Sequence, residues 1–244
     1  MADALIIRDS TFVRCRTELA SGGAVTATGA TMIADTDFIS CEADRDGAAI
    51  YLSAGAYGEY VSTPSGVQET PSATIEGCSI VGCGAARNIV QIWGYHELNF
   101  VKNDMTLNTP RQHLMYMTRL SLIKLADSRF EQNTGAGGMM RVFQLQLNQR
   151  TLVDNCLFIG NTYLENPCGK NCDRREEIEE GFFVVAEARG NFTFRRSRFV
   201  NNTGSGLAFG GALHLKANAS VIGCHFEGNH THINPEDGVE TTTT

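Results

Sequence analysis

Four aromatic residues, Tyr51, Trp93, Tyr116 and Phe143, recur beside the polar residues Arg141 and His214 in short alternating stretches of the chain. Flat rings next to hydrogen-bonding groups suit a sugar ring or a protein surface. These six residues are the candidate ligand-binding set. Carboxylate chemistry has weaker support. A glycosidase needs two carboxyl groups facing each other across a groove, and a lyase needs acidic ligands for a cation with a basic group beside them. Asp9 and Asp35 fall at equivalent positions, but an Asp at a corner is also what a turn calls for, since its side chain bonds its own backbone. The charged run 173–180 mixes Arg174 and Arg175 with acids, as a solvated helical turn does. No catalytic residue, metal ligand set or cofactor is assigned.

The elements that would carry those residues follow from a repeat. Counting back from Cys15, Cys41, Cys83, Asn108, Asn133, Asn161, Asn202 and Asn229, one template recurs eight times. A large apolar residue lies three before each anchor (Phe12, Phe38, Ile80, Met105, Phe130, Phe158, Phe199, Phe226), and a small polar residue or thiol lies five before. Eight before, every copy is apolar, from Ile7 to Val221. The anchors are 25 to 28 residues apart except for two intervals of 42 and 41, which carry inserted loops at about Ser53 to Pro71 and Tyr163 to Gly181. Such a period marks a solenoid.

Helical spacing of apolar residues is rare in the template and there is no leucine grid, so the unit is a β-helical coil. Glycine corners such as Gly22-Gly23-Ala24-Val25 and Gly210-Gly211-Ala212-Leu213 precede a second alternating stretch, giving at least two strands per coil. The predicted fold is all-β, a right-handed parallel β-helix of about eight coils, with residues 1–234 as one domain and 235–244 as a disordered tail or linker. Inward Asn side chains at one corner are expected to bond to one another as a ladder.

The Phe-x-x-Asn runs ending at Asn133, Asn161, Asn202 and Asn229, together with Gly-Gly-Ala-apolar corners, resemble the repeats of the polymorphic outer membrane protein family. More broadly the chain is similar to pectin-lyase-like β-helices. That resemblance implies a fold, while the fold hosts lyases, hydrolases, tailspikes and adhesins alike. The chain departs from it in having Cys for Asn at the first three anchors, and it lacks the Asn-Thr-Asp, Gly-His-Gly and Arg-Ile-Lys motifs of polygalacturonase-like enzymes.

Net charge −7 without a basic stripe argues against nucleic acid as a partner, and no apolar run reaches transmembrane length. Six of the eight cysteines occupy positions that Ser, Thr or Asn fill elsewhere, so they read as buried thiols, whereas Cys168 and Cys172 read as a small loop disulfide. Sequons place candidate glycosylation at Asn201, Asn191 and Asn218, with Asn229 kept bare by the ladder. Uncapped solenoid ends point to a piece of a longer chain or filament, which would place it outside the cell or at its surface; a frame starting at Met1 would make it intracellular. The expected function is a non-catalytic surface or structural module binding a protein partner or glycan on its aromatic face. The alternatives are a polysaccharide lyase or hydrolase, and an intracellular scaffold.

Overall fold

A computed structural model of the chain describes residues 4–54, 71–135, 138–143, 149–163, 183–185, 190–205, 214–215 and 218–232. Most of both inserted loops, the tail 235–244 and the pair Cys168 and Cys172 lie outside the described residues. The fold is an all-β, right-handed parallel β-helix, and no helix occurs among the described residues. Each full coil contributes four strands rather than the minimum of two read from the sequence. In the first coil these are Leu5–Arg8, Thr11–Val13, Arg16–Thr17 and Val25–Ala27. Like strands stack into four columns, of which the first and second are sheets of eight strands and the fourth a sheet of seven. The third column is divided into two sheets of four. The division falls after Thr109–Pro110, where proline has no N–H to give to a ladder.

The two apolar template columns of the sequence are register columns of the structure. Ile7 pairs with Ile33, Ile33 with Ile75 and Ile75 with Phe100 in the first sheet. In the second sheet Phe12 faces Phe38, and Phe130, Phe158, Phe199 and Phe226 follow one another. These rings stack face to face, with centroids 4.9, 4.6 and 4.9 Å apart along the last four. Phe38, Phe130, Phe158 and Phe199 are fully buried. Burying a Phe stabilises by roughly 1.5–3 kcal/mol, so this one column is a large share of the core.

The anchor corner is wired rather than packed. Asn108 Nδ2 donates to Asn133 Oδ1 at 2.9 Å, Asn133 to Asn161 at 2.9 Å, Asn161 to Asn202 at 3.0 Å and Asn202 to Asn229 at 2.9 Å. The backbone N–H of each anchor donates to the same Oδ1. The second amide hydrogen goes back to the preceding coil, as in Asn161 Nδ2 to Phe130 O at 2.8 Å. One Asn per coil thereby satisfies four polar groups that the corner would otherwise leave buried and unpaired.

What turns the chain at the two ends of the second sheet is a single left-handed residue. The first column of these runs Asp9, Asp35, Gly77, Lys102, Asp127, Asn155, Arg196 and Gly223, and the second Arg14, Ser40, Gly82, Leu107, Gln132, Gly160, Asn201 and Gly228. All have φ between 46 and 64°. Asp9 and Asp35 are therefore turn residues, as their position at a corner suggested. For Arg14, Leu107 or Gln132 the conformation costs about 1–2 kcal/mol, and the ladders on either side hold it in place.

Candidate functional site

The fourth sheet carries the aromatic residues, and Tyr51, Trp93 and Tyr116 are partly exposed on it. Its register sets Tyr51 beside Gln91, Gln91 beside Tyr116 and Tyr116 beside Arg141 on four successive strands, with Val184 and His214 continuing the column. Trp93 and Phe143 belong to the register column two residues along, where they align with Ser53 and Thr118. The four rings thus fall in two adjacent columns of one sheet. Tyr51, Gln91, Trp93, Tyr116 and Arg141 are all half-buried. Side chains of Phe143 and His214 are not among those described.

Cations hold the rings. Arg119 lies over Trp93 with its guanidinium carbon 5.5 Å from the ring centroid, and Arg141 lies over Tyr116 at 5.8 Å. The imidazole of His113 stacks on Tyr116 from a centroid distance of 6.1 Å. Each cation–π contact contributes about 0.5–1 kcal/mol at a half-exposed site, enough to restrict the rotamers of both rings. Arg141 Nε is buried without a hydrogen-bond partner among the described residues.

A polar knot at the turn before this sheet supports the face and was not singled out from the sequence. Asn88 Nδ2 donates to Asp46 Oδ1 and to Gln91 Oε1, both at 3.0 Å, while Asn88 Oδ1 accepts the backbone N–H of His113 at 3.3 Å. Arg87 approaches Asp46 Oδ2 at 3.5 Å. Burial raises the pKa of Asp46 and Arg87 opposes the rise. Burial and then the Asp46 charge raise that of Tyr51 as well. The only hint in the sequence was that Asp46, Asn88 and His113 each lie just before an apolar run, a spacing blurred by the first insertion.

The other candidates scatter. Asn191 and Asn201 are exposed, Asn201 at a left-handed corner, and Asn218 begins a strand of the first sheet. Asn229 sits in the ladder. On the first sheet Asp154 accepts Arg195 Nη2 at 2.7 Å and both Nε and Nη2 of Arg196, at 3.0 and 2.8 Å. This is a clamp between neighbouring coils. Hydrogen bonds from Arg196 hold the Asp154 carboxyl below the usual range against the effect of burial. No cluster of three His, Cys, Asp or Glu with metal-binding geometry occurs among the described residues. No described helix is long and apolar enough to cross a membrane.

A family model described as the right-handed beta helix region matches residues 58–243, more than half of the chain. Among curated proteins, none matches significantly.

Proposed function

Because the chain belongs to the right-handed β-helix family, whose members share a coil rather than a reaction, we propose that it is a non-catalytic binding module whose fourth-sheet face holds a glycan or a protein partner. One observation carries this reading. Rings and hydrogen-bonding groups lie side by side on successive strands, fixed by cations, and the face retains a buried donor, Arg141 Nε, with no partner among the described residues. Rings on neighbouring strands, about 4.8 Å apart, present one extended surface, as an oligosaccharide or a strand-like segment of a partner requires.

Trp93→Ala combined with Tyr116→Ala is the direct test, read on a glycan array and by partner capture. Binding should fall at least tenfold while the melting temperature stays nearly unchanged. Unfolding of the double variant would make the rings core residues. Polysaccharide cleavage that survives it and is lost on replacing a carboxylate would transfer the chain to the enzymes. We place the module outside the cell, with Asn201 and Asn191 as glycan acceptors. Expression through a secretory pathway followed by deglycosylation should shift its mass at those two sites.

A further inference from the structure

The anchor corner of the first three coils carries Cys15, Cys41 and Cys83 where the later coils carry asparagine, and all three are free thiols. Val13 pairs with Ile39 and Arg16 with Glu42, which sets Cys15 directly opposite Cys41. Glu42 N donates to Cys15 O at 2.8 Å and Gly84 N to Cys41 O at 3.0 Å, so the three backbones are one strand spacing apart. That spacing, about 4.8 Å, lies within the ~4.4–6.8 Å range of Cα separations that a disulfide spans. Cys41 Sγ donates back to Phe12 O at 3.6 Å, in the coil of Cys15, so its sulfur lies toward that coil.

The members of the stack differ in access. Cys41 and Cys83 are fully buried, and Cys15 is partly exposed. The other described thiols lie apart from the stack: Cys78 donates to Glu76 O and Cys156 to Asp154 O, where burial pushes them up to about 11 and about 12, and the partly exposed Cys224 donates to Ile222 O. Buried thiols of that kind are poor nucleophiles. Among the described residues, only the stacked corner sets a partly exposed thiol directly opposite a second one.

We propose that this corner is a peroxide-oxidisable site at which Cys15 and Cys41 join in a disulfide that clamps the first coil to the second. The step balances with hydrogen peroxide as oxidant. The Cys15 sulfur attacks one peroxide oxygen, the O–O bond breaks, and water leaves behind a sulfenic acid. Cys41 sulfur then attacks the Cys15 sulfur, the S–S bond forms, the S–O bond breaks and a second water departs with the thiol proton. Two thiols are oxidised by two electrons and one peroxide is reduced to two waters. Cys15 attacks first because it alone of the three is partly exposed, although burial and then the neighbouring Cys41 raise its pKa, and Cys41 resolves because it lies directly opposite. Cys83 stays reduced, its own pKa raised by contact with Cys41 and by burial.

The full chain, treated with one equivalent of hydrogen peroxide, blocked with an alkylating reagent and digested without reduction, gives the test by peptide mass spectrometry. The result expected is a cross-linked Cys15–Cys41 peptide lacking two hydrogens and released by dithiothreitol, with Cys78, Cys83 and Cys156 still alkylated after denaturation. Cys15→Ser should abolish that cross-link, and Cys83→Ser should retain it, with unchanged far-ultraviolet circular dichroism in both. A Cys41–Cys83 cross-link, Cys15 over-oxidised beside an alkylatable Cys41, or dimers joined through Cys15 would each overturn the assignment.

Discussion

At the anchor corner the first three coils and the last five meet the same buried backbone groups with different atoms. In the later coils an asparagine gives one hydrogen forward, one back, and takes two, as Asn133 does with Asn161, Met105 and Asn108. In the earlier coils a cysteine shares its one hydrogen between the backward bond, Cys83 Sγ to Phe38 O and Cys41 Sγ to Phe12 O, both at 3.6 Å, and the carbonyl two residues before it. Thiols are weak donors and weaker acceptors, so the early corner is held by packing and the late one by a network. The difference teaches that a repeat can keep its register while changing what enforces it.

The largest contrast should come from the ring stack that both regions share. Phe158→Ala, fully buried between two rings, should cost about 3–5 kcal/mol; Phe12→Ala, half-buried against the single ring of Phe38, should cost roughly half of that or less. Equal losses in urea denaturation would show that the two regions unfold as equals. Next, Asn133→Ala strips the acceptor from Asn108 and the donor from Met105 O, an expected loss of about 3 kcal/mol. Cys83→Ala removes only thiol bonds and should lose about 1 kcal/mol.

Cys83→Asn probes the comparison from the other side. It should extend the ladder by one coil, since Cys83 N already donates to Asn108 Oδ1 at 2.9 Å, and raise the melting temperature by about 2–4 °C. A fall would mean that the corner beside Cys41 has no room for an amide. Acid provides a subtler test. Asp154 is held low by Arg196, so its contribution is complete above the unfolded value of about 3.9 and is lost as pH falls through the lower folded value. Asp154→Asn should flatten stability against pH in that window alone. The smallest effect expected is a gain: Leu107, exposed and left-handed with φ 57°, should stabilise by about 0.5–1 kcal/mol on replacement by Asn.

Much of this was legible in the sequence because a stacked repeat gives equivalent residues the same surroundings. Ile33, Phe130 and Asn161 were placed inward by their template position, and their register columns agree. The short third strands were not foreseen, since a pair such as Arg16–Thr17 has no periodicity to read. Arg14 and Gln132 at left-handed corners carry no local signal at all, because neighbouring coils impose the conformation.

The asparagine ladder also gives the rod an electrical sense. Each Oδ1 faces the coil before it and each bridging hydrogen points to the coil after, from Asn108, whose oxygen accepts Cys83 N, to Asn229. Stacked sheets have small net dipoles because strand dipoles largely cancel, but here five side-chain amides align as peptide units do in an α-helix. The negative pole lies at Asn108 and the positive one at Asn229, and bonds in such a chain polarise one another. An aspartate introduced along the ladder would therefore cost unequal amounts by position, least beside Asn229 and most beside Asn108, turning a uniform-looking core into a graded one.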